Sequence, residues 1–343
     1  MATKLLVVLA TFVAVGLTKP SASLYKQSEI KEFLNNPRYM VIEIEEGVFE
    51  VEDLETSVAD ITLTATDDDV TFYVYTPENT SGAIVKASEI PNIVKQTGFN
   101  LARSTIFVVH GWKNSVESAV NDRVKVAALA NRNNINVVVI DWSPIATKNY
   151  ISAQGSVLAV GNFVGDFLIA LNSQLNYSWD SMTLVGHSLG AHVSGNAGAR
   201  TGGKVGTIVG LDPAGPLFTK KNINNRLDPT DGAYVHCIHT NTAILGTSYK
   251  TGHVNFYPNG GSSQPGCGLD VAGSCAHSRA YEYYAESLNS NNFSAYLCDS
   301  YSNYKKGTCS SNTACKLGWY PVAKSTSGDY YLYTNSKSPF AQG

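Results

Sequence analysis

The 343 residues carry 28 acidic and 25 basic side chains, a formal charge of −3, and 43% of them are apolar. That is enough apolar material for a large core, and it excludes a disordered chain. No block of lysine and arginine is present to neutralise a row of phosphates, which argues against nucleic acid as a partner.

In chain order, Lys4 precedes a mostly apolar stretch from Leu5 to Leu17 that is too short to span a bilayer. A charge, an apolar run and then small residues (Ala14 and Gly16, or Ser21, Ala22 and Ser23) is the order of a secretory signal peptide, placed at residues 1–23 with the cleavage point open. A buried N-terminal helix would not require that order. No transmembrane segment is expected. Residues 24–69 are acidic (Glu43, Glu45, Glu46, Glu50, Glu52, Asp53, Glu55, Asp67 to Asp69) and show no long periodicity. They are expected to form a peripheral, solvated lead-in, with a pro-segment as the second reading.

From residue 70 to 343 one domain is expected. Short β-branched runs at Val70 to Tyr75, Thr105 to Val109, Asn136 to Ile140, Thr183 to Val185, Val205 to Gly210, Tyr234 to His239 and Val254 to Tyr257 are strand candidates. Helical patterns lie at Val116 to Asn131, Ser156 to Leu175, Leu189 to Arg200 and Ser278 to Leu288. This alternation predicts an α/β protein with a mostly parallel sheet and helices on both faces, its active residues at the carboxyl ends of the strands.

One motif carries chemistry. Gly186-His187-Ser188-Leu189-Gly190 is a G-x-S-x-G between an apolar strand and a helix rich in small residues. Bare, such a pattern arises by chance on the order of once per ten chains of this length, so its flanks decide. Between strand and helix it predicts the nucleophile elbow of an α/β-hydrolase fold, the glycines allowing the tight backbone approach that lifts Ser188 above the sheet. A serine hydroxyl needs a base, and the order serine, aspartate, histidine places the partners downstream. Asp212 ends a strand at the turn Pro213-Ala214-Gly215-Pro216 and is the first choice. Asp228 and Asp231 lie in a polar loop and are weaker, while Asp141 precedes the serine and reads as structural. Of His236, His239, His253 and His277, the first three sit in or beside strands, and His277 falls in a loop after the last strand and directly before the helix Ser278 to Leu288, where the base belongs. Backbone donors for the oxyanion are expected from Leu189 and from Trp112, in the turn His110-Gly111-Trp112 after a strand. The side chain of Trp112 can be a packed aromatic at the same time.

The cysteines Cys237, Cys267, Cys275, Cys298, Cys309 and Cys315 fit disulfides in an oxidising compartment better than paired C-x-x-C zinc ligands. Sequons begin at Asn79, Asn176 and Asn292 and would serve a secreted glycoprotein.

With these residues assembled, the chain resembles the pancreatic lipase family, most closely its secreted insect branch of neutral lipases and phospholipases A1. The matching residues are His110-Gly111-Trp112, Asp141-Trp142, Gly186 to His192, Gly210 to Pro216, Tyr257 to Gly261 and Cys275 to Arg279, in family order over roughly Val70 to Phe340. The resemblance implies a catalytic triad of Ser188, Asp212 and His277, oxyanion donors at Trp112 and Leu189, and a lipid substrate at an aggregate or membrane surface. It also implies a lid-loop disulfide between Cys267 and Cys275 and a second between Cys298 and Cys309. Cys237 and Cys315 have no counterparts there, and a bond between them is a guess. Arg226, Asp228 and Asp231 resemble a family calcium loop of two carbonyls and two carboxylates, so a structural calcium is an expectation while no cofactor is required for the chemistry.

The departures bear on substrate. The loop closed by Cys267 and Cys275 encloses only Gly268 to Ser274, and Asn241 to His253 is also short, as in phospholipase A1 members. The family's C-terminal β-sandwich is not seen, so no colipase is expected. The resulting expectation is a secreted lipid-ester hydrolase favouring the sn-1 ester of phospholipids, with triacylglycerol and galactolipid close behind. The rival readings are a lipid-binding storage protein like the fly yolk proteins, and an esterase on soluble esters.

Overall fold

The computed structural model describes residues 24–34, 36–55, 59–131, 134–290, 292–318 and 324–343. The stretch read as a signal peptide lies outside the described residues.

The strands are β1 (Leu24–Lys26), β2 (Tyr39–Glu45), β3 (Val48–Asp53), β4 (Thr71–Thr76), β5 (Asn79–Val85), β6 (Ser104–Val109), β7 (Ile135–Asp141), β8 (Met182–His187), β9 (Thr207–Leu211), β10 (Val235–Ile238), β11 (Val254–Pro258), β12 (Ser294–Leu297), β13 (Ala314–Lys316) and β14 (Gly328–Leu332). Four long helices, α1 (Ala119–Asn131), α2 (Val157–Leu175), α3 (Leu189–Arg200) and α4 (Ser274–Ser287), lie between them. Eleven strands form one sheet in the order β13-β12-β14-β11-β10-β9-β8-β6-β7-β4-β5. Along that order the pairs between β14 and β7 are parallel, whereas β4 runs against β7, β5 against β4, β12 against β14 and β13 against β12.

Both faces of the sheet are covered, which is why its central strands read as continuous apolar runs. In β6, Ile106 and Val108 pack into the core layer shared with Val120, Val124 and Ala128 of α1 and Ala280, Tyr283 and Tyr284 of α4. Phe107 and Val109, pointing the other way, join the layer that holds Val160, Val164 and Phe167 of α2 and Leu189, Val193 and Ala197 of α3. Helix α2, 19 residues long, is apolar enough by length and composition to cross a membrane. Its buried stripe from Val157 to Leu171 packs in that layer, so its apolarity is that of a core helix.

Three expectations need correction. The lead-in is not simply a solvated extension: β1, β3 and β2 form a separate antiparallel sheet in that order. On β3 the alternation puts Phe49 into a small apolar cluster with Ile30, Val41 and Ala272, while Glu50 and Glu52 are also buried. A strand whose alternate buried positions are carboxylates hides its periodicity. Secondly, α4 begins at Ser274 and not at Ser278, so His277 lies inside a helix rather than in a loop, and three strands still follow it. The late strands β12 to β14 are three to five residues long, too short for a pattern to show. Thirdly, Cys267–Cys275 and Cys298–Cys309 are bonded, each with Cα atoms 5.6 Å apart, but Cys237 and Cys315 are free thiols. Cys237 lies on β10 and Cys315 on β13, four strands away in the sheet and so roughly 19 Å at the usual strand spacing, far beyond the reach of a disulfide.

Candidate active site

All of β8 is buried, and the chain turns from it into α3 through Ser188 at φ 58° and ψ −124°. A non-glycine residue in that region stores roughly 1–3 kcal/mol, which the surroundings must offset. Here the Ser188 amide donates to the Leu211 carbonyl at 3.1 Å, and its own carbonyl accepts from the amides of Ala191 at 3.1 Å and Ala214 at 3.3 Å. Gly186 and Gly190 permit the turn. A side chain on Gly186 would meet the Gly190 carbonyl, and one on Gly190 would meet the carbonyls of Val109 and His110.

Asp212 follows β9 at φ 42° and is wholly buried. Its Oδ1 accepts from the amides of Thr240 at 2.8 Å and Asn241 at 3.0 Å, and its Oδ2 from His277 Nδ1 at 2.5 Å. Because the carboxylate can only accept there, the Nδ1 of His277 carries the hydrogen and Nε2 is left for the cavity. His277 is the fourth residue of α4, and two features fix that first turn. Asp270 accepts from the amides of Cys275 at 3.2 Å and Ala276 at 2.7 Å, and the Cys267–Cys275 bond ties the helix start to the preceding loop. Sequence reasoning missed Asp270, although an aspartate a few residues before a helical pattern is a capping signal.

Ser188 and His277 line one cavity of about 280 Å³ together with Gly111 and Trp112. No hydrogen bond joins Ser188 Oγ to the His277 ring among the described residues; such contacts are commonly loose before substrate binds and tighten in the complex. Gly111 is close enough that an added Cβ would lie 2.8 Å from Ser188 Cβ. The turn it belongs to is pinned from behind. His110 Nε2 lies 2.9 Å from Asp141 Oδ1, Trp142 Nε1 donates to the His110 carbonyl at 2.8 Å, and Trp112 Nε1 donates to the Lys148 carbonyl at 2.8 Å. Burial alone would push the Asp141 carboxyl up, but the hydrogen bond and charge of His110 outweigh it and hold it below the usual range. Asp141 thus ties the end of β7 to the turn that carries Gly111 and Trp112. Leu189 opens α3 directly after Ser188, where the amides of a first helical turn have no partner within the helix.

Further residues at the cavity gave no sequence signal. His187 donates from Nε2 to the His277 carbonyl at 3.1 Å, with the two rings 4.5 Å apart. Burial, and then the proximity of His277, hold its pKa well below the ordinary histidine value, so it stays neutral. Met40, Ile42 and Ile44 of β2 form one wall, and Lys113, next to Trp112, pairs with the buried Glu50 of β3 at 2.5 Å. The N-terminal sheet is thus part of the site.

The sequence profile of the family described as Lipase matches residues 42–340. Human pancreatic lipase-related protein 2 is 35% identical over 267 residues, covering 71% of this chain and 56% of that protein. The chain belongs to the pancreatic lipase family. It is also 33% identical over 305 residues to the pancreatic triacylglycerol lipase of Cavia porcellus, covering 80% of this lipase-family chain and 65% of that one. The chain therefore spans little more than half to two-thirds of the length of these relatives. Among solved structures, a phospholipase/carboxylesterase from Dyadobacter fermentans aligns over 52% of this chain and 74% of its own, at TM-score 0.32 and 11% identity, a likeness too loose to carry any argument.

The loop read as a family calcium site is compact and buried. Asp228 Oδ1 accepts from the Thr230 amide at 2.8 Å and hydroxyl at 2.7 Å, and Asp231 Oδ2 accepts from the Asp228 amide at 2.8 Å. Burial pushes the Asp231 carboxyl up to about 8. The Arg226 guanidinium is occupied with the carbonyls of Thr219, Lys220 and Leu227. Two buried carboxylates on one short turn are hard oxygen donors, and they fit a calcium ion.

Proposed function

We propose that this chain hydrolyses carboxylic esters of lipids by acyl transfer to Ser188. The observation that carries the reading is the Asp212–His277 hydrogen bond of 2.5 Å at the wall of the cavity that Ser188 enters from its strained turn. His277 Nε2 takes the hydroxyl proton as Ser188 Oγ attacks the ester carbonyl. The negative charge then falls on the carbonyl oxygen, where the amides of Trp112 and Leu189 are the donors. His277 returns the proton to the departing alcohol, leaving an acyl-enzyme, and next takes a proton from water to release the fatty acid. Asp212, held by two backbone amides, orients the ring and stabilises its charged form. Neutral His187 does not add a second positive charge beside it.

The substrate reading is a lipid at an aggregate surface, with the sn-1 ester of phospholipids favoured over triacylglycerol and galactolipid. The support is the small loop between Cys267 and Cys275, which covers little of the site and leaves Leu269 82% exposed. Secretion is supported by the two disulfides. A calcium ion at Asp228 and Asp231 would supply charge compensation to the loop and no step of the chemistry. Chelation is then expected to lower the melting temperature, and Asp231→Asn to abolish the difference; a melting point indifferent to calcium would sink that assignment.

The deciding experiment offers phosphatidylcholine, galactolipid and triacylglycerol together to the protein and to its Ser188→Ala variant, with products resolved by mass. Serine-dependent release of the sn-1 chain is the expected result. Diacylglycerol alone would make it a triacylglycerol lipase, and no serine-dependent product would favour the storage-protein reading.

A further inference from the structure

A second cavity, of about 510 Å³, adjoins the first. It lies between the N-terminal sheet and the loops 215–218 and 242–249, and Met40 and Pro216 line both cavities. We propose that this second cavity holds the other hydrocarbon chain of a two-chain lipid whose first chain is cleaved at Ser188. The proposal rests on the hydrolase reading above and adds the substrate's second chain to it.

The two cavities differ in charge. The Ser188 cavity carries Glu43, Lys113 and His277 on its walls, as a site for an ester and a polar head group would. Among the described residues no charged side chain lines the second one; its walls set Phe33, Leu34, Val41 and Phe218 beside the uncharged polar side chains of Asn36 and Thr247. A cavity with no charged partner on its walls favours an uncharged chain over a charged group, and a wall shared with the reacting centre selects a group covalently attached to the one being cleaved.

The rim points the same way. Leu217 and Ile244 line this cavity and are each 44% exposed, so they lie where it opens to the outside. Leu217 stands at φ 62°, a conformation that disfavours a branched side chain and persists only where the surroundings impose it. Apolar rim residues beside an uncharged cavity give a chain a way in from a lipid layer.

The test uses Ala243→Trp, an exposed position on the cavity wall whose enlargement fills the space without touching the Ser188 cavity. Dioleoyl phosphatidylcholine and oleoyl lysophosphatidylcholine are presented in the same vesicles, so that docking to the surface is common to both. The variant is expected to lose roughly 10–100-fold in kcat/KM on the two-chain lipid and less than about twofold on the one-chain lipid. Ile244→Asp, a rim change, should shift the ratio in the same direction. Equal losses on both lipids, or no loss on either, would overturn the proposal. Binding of a non-hydrolysable diether phosphatidylcholine to the Ser188→Ala protein gives an independent reading: Ala243→Trp should weaken it about tenfold relative to the one-chain ether, and an unchanged ratio overturns the proposal. If no ester is cleaved at all, the hydrolase reading fails while this binding ratio still decides the role of the cavity.

Discussion

Ser188 shows what a strained residue requires of its neighbours. Its φ of 58° is held by one donated and two accepted backbone hydrogen bonds, and by glycines at the positions where a methyl group would strike the backbone. Gly111 is the most telling of these, because the atom it lacks would lie 2.8 Å from Ser188 Cβ. Gly111→Ala must move either the nucleophile or the turn that carries Trp112, and both displacements spoil attack geometry. A loss of about 100-fold or more in kcat is expected with the melting temperature changed by only a few degrees, since the clash is confined to the cavity. Full activity in the Gly111→Ala variant would show that the turn does not face the ester. At this scale the sequence was informative: Ser188, Asp212 and the glycines are local signals, readable from a few adjacent residues. His187, Lys113 and Glu50 were not, because each acquires its meaning from a partner between 63 and 90 residues away.

The element that changed most between expectation and structure is the N-terminal sheet. Its glutamates read as solvated because acidic runs usually are, yet Glu50 is 4% exposed and bonded to Lys113, and Glu52 is buried beside it. Burial raises the pKa of Glu52, the charge of Lys113 lowers it, and neighbouring Glu50 raises it further, leaving it above the ordinary carboxylate value. A carboxyl whose pKa is raised on folding binds its proton more tightly in the folded chain. Its contribution to stability is therefore present below the unfolded pKa and is lost as pH rises through the folded one. At neutral pH the ionised Glu52 is a net cost, so Glu52→Gln is expected to raise the urea midpoint there and to give little gain at about pH 4, where the wild-type side chain is protonated. The same gain at both pH values would place the effect elsewhere. In contrast, α2 and α3 were legible to within a residue and α1 to within three at its start, since helices packed against a sheet leave a periodic record. Only α4 starts earlier than its pattern suggests, because its first turn is fixed by Asp270, which lies outside the periodic stretch.

For the whole molecule, the order of the eleven strands decides which distant residues can meet. Asp212, after β9, and His277, in the helix after β11, meet because β9, β10 and β11 are adjacent and parallel, so the segments leaving them share one edge. That order was not in the sequence, because β12 to β14 are too short to announce themselves and β14 inserts between β11 and β12. The same order separates Cys237 from Cys315 and makes their chemistry unequal. Cys237 is fully buried on β10, where burial pushes its thiol up to about 12, and the Thr251 hydroxyl lies 3.2 Å from its sulfur. Cys315 lies partly exposed on the edge strand β13. Thiol reactivity follows the thiolate and its access, so the folded protein should react with a small alkylating reagent at Cys315 alone, and at both residues once unfolded without reductant. Peptide mapping of the alkylated protein distinguishes the cases. Modification of neither cysteine even after unfolding would mean that they are bonded to each other, and the sheet order at that edge would then have to be different.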